Sequence, residues 1–138
     1  MMRVVLDTCV LVSALRSSLG ASYRVVNALP GGRFTPLVST PVFFEYEEVL
    51  SRPGLFPHLG STDVSDFLDY LASVSEHQKV DFLWRPYLKD PDDDMILELA
   101  VSGSADAVVT YNLRDFAGSD RLGVSVITPA DLIKKLKL

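Results

Sequence analysis

Cysteine and histidine are nearly absent from this sequence of 138 residues. Cys9 is the only cysteine, so an intramolecular disulfide and a structural zinc site built from cysteines are both excluded. Neither of the two histidines, His58 and His77, has a second histidine at metal-ligand spacing, and we expect both to be solvated or structural. Cys9 follows a hydrophobic strand pattern, and a free cysteine in that context is expected to be buried.

Long apolar runs and an excess of positive charge are also missing. The N-terminal apolar run is broken at Asp7 and is too short for a signal peptide or a membrane span, so we expect a soluble, cytoplasmic protein with no membrane partner. Acidic residues outnumber Lys and Arg by 18 to 13, which gives a net charge of -5. That balance argues against passive coating of nucleic acid, although metal ions that neutralise local carboxylates would still permit a polyanionic substrate.

The length and a hydrophobic content of 48% suit one globular domain over residues 1–138. Short apolar runs predict strands at residues 3–6, 34–38, 80–82, 107–110 and 124–127. Apolar spacings and capping residues predict one or two helices within 10–29, and further helices at 41–50, from Ser61 or Thr62 onward, from 92 or 93 to 102, and from 129 onward. Strands that alternate with helices predict an α/β fold with a parallel sheet covered on both faces.

Prolines and apolar patterns refine this prediction. Pro36 places the second strand at a sheet edge, because proline cannot donate to a strand ladder. Thr40 and Thr128 are each followed by proline, which is typical of an N-cap and the first helical position. The helix that ends at Ser102 is apolar around most of its axis and should be largely buried.

Acidic side chains are predicted to converge at one edge of the sheet. Asp7 ends the first strand, and sites in open parallel sheets form at the carboxyl ends of the strands. A helix that leads into a parallel strand begins at that same edge, so Asp94, in the first turn of the helix before the strand at 107–110, should approach Asp7. Asn112 and Asp115 follow the carboxyl end of that strand and belong to the same neighbourhood.

Glu45 lies on the apolar stripe of its helix beside Tyr46. A carboxylate on an inward-facing stripe is costly unless it is paired or bound to a cation. Structural roles stay open for each acid alone, since Asp94 could simply favour a helix N-terminus and Glu45 could pair with Arg24 or Arg52. The functional interpretation rests on their joint convergence.

Clustered carboxylates repel one another, and a hard divalent cation bound by oxygen ligands reverses that cost. Mg2+ or Mn2+ is therefore the expected cofactor, and hydrolysis of a nucleic-acid backbone is the natural reaction. A calcium loop starting at Asp90 is disfavoured, because Met95 and Val101 stand where that loop needs glycine and glutamate. Trp84 and Tyr87 could stack on RNA bases, although packing is the commoner role of aromatics in a proline-containing loop.

Four features carry a resemblance to a known family: VVLDT at residues 4–8, Glu45, KDPDDD at 89–94 and VTYNLRDF at 109–116. With them the sequence resembles the PIN-domain family, in its toxin-antitoxin branch, over nearly the whole chain. The resemblance implies a three-layer α/β/α sandwich with a central, mainly parallel sheet of four or five strands. It further implies a ribonuclease that cuts RNA with Mg2+ or Mn2+, often as a homodimer, and that in many members is inhibited by an antitoxin protein.

The resemblance also implies roles for single residues. Those that match the family's metal-binding acids are Asp7, Glu45 and Asp94. Thr110 matches the threonine that ends the fourth strand and would support substrate or metal. Asn112 stands where many members have aspartate, and an amide oxygen can coordinate a metal but supplies no charge. Asp115 is the candidate for the fourth catalytic and metal-binding acid.

Three functions compete at this point. The leading hypothesis is a metal-dependent endoribonuclease, the toxin of a toxin-antitoxin pair. The alternative is a catalytically degenerate PIN-fold interaction module, which Asn112 and the negative net charge favour. The third is a phosphatase that acts on small phosphate esters with the same metal chemistry.

Overall fold

A computed structural model describes residues 1–80, 87–88 and 90–138 of the chain. The strand predicted at 80–82 lies outside these residues except for Val80, which is not in a strand. Trp84, whose aromatic ring was considered for base stacking, is likewise outside them. Tyr87 is described and is exposed.

The described residues form five strands and six α-helices. In chain order these are β1 (Met2–Leu6), α1 (Thr8–Arg16), α2 (Ala21–Asn27), β2 (Phe34–Val38), α3 (Thr40–Leu50), α4 (Asp63–Val74), β3 (Glu76–His77), α5 (Pro91–Ser102), β4 (Ala107–Val109), β5 (Ser125–Ile127) and α6 (Pro129–Leu136). Two short 3-10 turns, Leu113–Phe116 and Ser119–Leu122, connect β4 to β5.

The strands form one parallel sheet in the order β3-β2-β1-β4-β5. β1 is central and pairs with β4 through Val4 opposite Ala107 and Leu6 opposite Val109. The carboxyl ends of β1 and β4 are therefore adjacent, which brings the residues after Leu6 and after Val109 together. The predicted three-layer α/β/α sandwich with a central parallel sheet is confirmed.

The core is built on β1, β4 and α5. Val4, Val5 and Leu6 of β1 are almost completely buried. Helix α5 is largely buried, as its apolar pattern predicts, and it also buries the charged residues Asp94 and Glu98. Within the described ranges, no helix has the length and apolar character needed to cross a membrane.

The prediction that Pro36 marks an edge strand is wrong, because β2 lies between β1 and β3. Strand β3 is only two residues long and pairs with Leu37 and Val38 alone. The carbonyl of Val38 accepts from the amide of Gln78 at 2.8 Å, so backbone groups two residues earlier, at Pro36, point to the same side. Since β3 does not reach that far, the absent N–H of Pro36 leaves no ladder bond unmade.

Two predicted N-caps have different outcomes. Thr128 caps α6 as expected: it forms a reciprocal capping box with Asp131, with hydrogen bonds of 3.0 and 3.1 Å. The prediction for Thr40 is wrong by one residue, because the hydroxyl of Ser39 accepts from the amide of Val42 at 3.3 Å. Serine and threonine serve equally well here, and the helix begins one residue earlier than the proline alone indicates.

Candidate active site

Asp7 is held in place by three different donors. It follows β1 and caps α1, where its Oδ1 accepts from the amide of Thr8 at 2.8 Å. Its Oδ2 accepts from the hydroxyl of Thr110 at 2.7 Å and lies 3.4 Å from the thiol sulfur of Cys9. The side chain is only 7% exposed, so the carboxylate is oriented before any ligand arrives.

Thr110 connects the end of β4 to Asp7. It is fully buried, and its hydroxyl also accepts from the backbone amide of Asn112 at 3.0 Å. A hydroxyl that accepts one hydrogen bond while it donates another has a fixed orientation. Thr110 therefore positions Asp7, and Asn112 is exposed just beyond the strand end.

Cys9 is partly buried against the core, so the prediction of burial is confirmed only in part. Its sulfur lies 3.5 Å from the Thr110 hydroxyl, at the carboxyl edge of the sheet rather than beneath a layer of helices. Partial burial and the charge of Asp7 raise the pKa of the Cys9 thiol to about 11. The thiol consequently stays protonated and unreactive at neutral pH.

The carboxylates of Asp7, Asp93 and Asp115 lie within electrostatic range at this edge of the sheet. Burial raises the pKa of Asp7, and the charge of Asp115 raises it further, while the hydrogen bonds from Thr110, Cys9 and Thr8 act in the opposite direction. Burial is also the main cause that raises the pKa of Asp93 to about 7, followed by repulsion from Asp7, then from Asp90, and then from Asp115 and Asp92. Asp115 itself is exposed, in the 3-10 turn after β4.

Asp94 has a different environment from its neighbour Asp93. It is only 2% exposed, and its Oδ1 accepts from the amide of Leu88 at 2.8 Å and from that of Tyr87 at 3.3 Å. Its Oδ2 lies 3.4 Å from the Tyr87 amide. Consecutive helical residues point about 100° apart, so two adjacent aspartates leave the helix in different directions. In this structure Asp94 binds the loop that precedes α5, and Asp93 is the carboxylate repelled by Asp7.

Asp93 was missed by sequence reasoning, although the sequence contains a signal for it. Ile96, Leu97 and Ala100 of α5 are all buried, and they lie three, four and seven residues after Asp93. That spacing extends the inward stripe of the helix to Asp93. Because Asp92, Asp93 and Asp94 are consecutive, the residue type alone does not show which of them lies on this stripe.

Glu45 approaches the N-terminus of α5 from helix α3. Burial raises its pKa most, and the charges of Asp92 and Glu48 raise it further, while Arg52 lowers it. Neither of the two candidate arginines pairs directly with it: Arg52 bonds Glu48 at 3.0 Å, and Arg24 donates to the Leu138 carbonyl at 2.8 Å. Glu45 thus faces the acids of α5 on the side of Asp92.

No three His, Cys, Asp or Glu side chains within the described ranges lie close enough to hold a metal ion. The donor chemistry nevertheless fits a hard divalent cation, because the carboxylates that face one another carry raised pKa values. Burial and mutual repulsion make these acids costly to ionise without a counter-charge. A cation that draws them together would relieve that cost.

Tyr46 links helix α3 to the end of β1. It is buried, and its hydroxyl donates to the carbonyl of Leu6, next to Asp7. Tyr46→Phe should lower the free energy of unfolding by about 1 to 2 kcal/mol, because the Leu6 carbonyl would lose this partner. Urea denaturation measures the change, with Tyr70→Phe on exposed α4 as the matched control. Equal stability of the two variants would contradict this role.

The fold and the site together define an α/β domain with acidic side chains at the carboxyl edge of its parallel sheet. Residues 3–114 match the sequence profile of the PIN domain, and the chain belongs to the PIN-domain family. No curated protein sequence matches it significantly. Among solved structures it is similar to a chain in the crystal structure of VapBC2 from Rickettsia felis bound to a promoter DNA fragment. The TM-score is 0.63 at 18% identity, over 92% of this chain and 98% of that chain.

Proposed function

We propose that this chain is a divalent-metal-dependent endoribonuclease that hydrolyses RNA phosphodiester bonds. The observation that carries the proposal is the placement of Asp7 and Asp115 after the adjacent carboxyl ends of β1 and β4, with Asp93, in the first turn of α5, close enough to be repelled by both. Such a group is unfavourable in an empty protein and favourable around a cation beside a phosphate. Membership of the PIN-domain family supports the same chemistry.

The residues that would hold Mg2+ or Mn2+ are Asp7, Asp93 and Asp115, with Glu45 on the neighbouring side. Asp93 replaces Asp94 in this assignment, since both oxygens of Asp94 face backbone amides. When bound, the cation supplies Lewis-acid neutralisation of phosphate charge and a lowered pKa for water. Thr110 keeps the Asp7 carboxylate oriented by its 2.7 Å hydrogen bond.

The toxin role is proposed on the likeness to a chain of the VapBC2 complex. That complex was solved with DNA from its own promoter, and an antitoxin protein is accordingly the partner that we propose for this chain. The antitoxin would bind the domain and block access to the acidic edge.

Purified protein should cleave single-stranded RNA in Mg2+ or Mn2+, and excess EDTA should abolish cleavage because the carboxylates alone cannot neutralise the phosphate. Gel analysis of a labelled RNA measures cleavage with the metal ion and with EDTA. Added Mn2+ in excess of the chelator should restore activity. Cleavage that continues unchanged in EDTA would refute the metal-dependent mechanism. Turnover of a chromogenic phosphate ester without RNA cleavage would identify a phosphatase instead.

A catalytically degenerate interaction module is the second candidate. Asn112 at the end of β4 favours it, as does the lack of a tight acidic group among the described residues. Calorimetric titration with Mn2+ separates the two candidates. Saturable binding below millimolar concentration supports the nuclease, and no binding supports the interaction module.

A further inference from the structure

A groove between α1 and α3 adjoins the acidic edge. It has a volume of about 550 Å3 and includes Thr8, Cys9 and Arg16 from the α1 side and Val49 and Arg52 from the α3 side. A cavity of this size is in the range of small-ligand sites and suits a nucleotide of a single strand rather than a duplex.

The groove meets the candidate active site on both sides. Thr8 and Cys9 directly follow Asp7, and the Cys9 sulfur lies 3.4 Å from Asp7 Oδ2. On the other side, Arg52 is within electrostatic reach of Glu45. A chain that occupies the groove would therefore lead directly to the carboxylates.

Two guanidinium groups give the groove a charge opposite to that of the adjacent acids. Arg16, at the end of α1, is exposed and forms no side-chain hydrogen bond or ion pair within the described part of the chain. Arg52 pairs with Glu48 at 3.0 Å, but both side chains are more than half exposed, and such a surface pair contributes little. Both arginines are thus available to phosphate, for which a guanidinium is well suited.

The remaining walls suit a nucleotide as well. Val12, Val49 and Leu55 provide apolar surface for a base or ribose, and Thr8 and Ser13 add hydroxyl groups. A purely apolar peptide would leave the Arg16 guanidinium without a partner, whereas a phosphate backbone provides one for it and a second acceptor for Arg52.

We propose that this groove binds single-stranded RNA next to the scissile phosphate, with Arg16 and Arg52 contacting the flanking phosphates. The inference rests on the proposed ribonuclease function. It assigns the direction from which the substrate strand enters the site.

Binding of a short, fluorescein-labelled single-stranded RNA by fluorescence anisotropy tests the proposal. The measurement uses Asp7→Asn protein in Mg2+, so that the probe is not cut. Adding Arg16→Ala and Arg52→Ala should weaken binding about tenfold per arginine. The slope of log affinity against log salt should decrease by roughly 0.7 for each lost phosphate contact. Arg16→Lys with Arg52→Lys should recover most of the slope, because the charge is kept.

The matched control removes two cations elsewhere, by Arg121→Ala and Lys135→Ala, both exposed. It should change affinity by less than about threefold, because distant surface charges are screened at physiological salt. Equal losses in the two double variants, an unchanged groove variant, or no RNA binding by the Asp7→Asn protein would each overturn the proposal.

Cleavage by the wild-type chain separates this inference from the proposed function. If RNA binds through the groove but the wild-type chain does not cleave it, the proposed nuclease function is refuted and the proposed RNA-binding groove is not. If the wild-type chain cleaves RNA and the groove variant binds RNA with unchanged affinity, only the proposed role of the groove is refuted. Thermal melts followed by circular dichroism confirm that each variant is folded.

Discussion

Asp7→Asn should lower the rate of RNA cleavage in Mg2+ by about 10² to 10³-fold, because a metal ligand contributes several kcal/mol to the transition state. The fold should survive the change. Asparagine is as good an N-cap as aspartate, so its side-chain oxygen can keep the hydrogen bond from the Thr8 amide. The Thr110 hydroxyl can turn to accept from the new amide group, since it has two lone pairs.

Single-turnover cleavage of a labelled RNA measures this loss, and calorimetric titration measures the parallel loss of Mn2+ affinity. Asp69→Asn is the matched control, since Asp69 is an exposed carboxylate on α4. The control should cleave at the wild-type rate. Wild-type activity in the Asp7→Asn variant would exclude this carboxylate from the chemistry.

Asp93→Asn and Asp94→Asn should differ sharply although the residues are adjacent. Asp93→Asn should lose cleavage about as much as Asp7→Asn and remain stably folded, because it removes a repelled charge. Asp94→Asn should lower the free energy of unfolding by about 1 to 3 kcal/mol, because an amide group cannot replace both acceptor oxygens that face Tyr87 and Leu88. At a temperature where it is folded, the Asp94 variant should keep most of its activity. Loss of activity only in the Asp94 variant would restore the assignment made from sequence.

Asp93 also predicts a pH dependence of stability in metal-free protein. The pKa of Asp93 is about 7 in the folded state against 3.8 for the ordinary group, so the folded state binds more protons between these values. Stability should therefore fall as pH rises from about 4 to 7. After a discount for solvent screening, this contribution is roughly 1 to 2 kcal/mol. Asp93→Asn should flatten the fall in urea denaturation, and an equally steep fall in that variant would contradict the assignment.

The fold could largely be predicted from local patterns. Residues 4–6 form an unbroken apolar run, which predicts a strand buried on both faces. Helix α5 is apolar around most of its axis apart from Glu98 and its acidic first turn, which predicts a largely buried helix. Strand β3 could not be predicted from the sequence, because its two residues are exposed and too few to carry a periodic pattern. The position of β2 was predicted wrongly because Pro36 prevents pairing only at its own N–H. Strand β3 pairs with Leu37 and Val38, beyond that position.

The site was predictable in outline and not in detail. Asp7 could be placed at a strand end, and parallel topology brings the turn with Asp115 beside it. The choice between Asp93 and Asp94 depends on a helix rotation of about 100°, which an uninterrupted run of aspartates does not reveal. Partial exposure of Cys9 likewise depends on where helix α1 leaves the sheet edge.

Location of bound Mn2+ by anomalous diffraction from a soaked crystal tests the central claim most directly. We expect the ion among the carboxylate oxygens of Asp7 and Asp93, with Asp94 still bound to the loop amides. An ion coordinated by Asp94 while Asp93 faces solvent, or no ion at this edge at millimolar Mn2+, would contradict it.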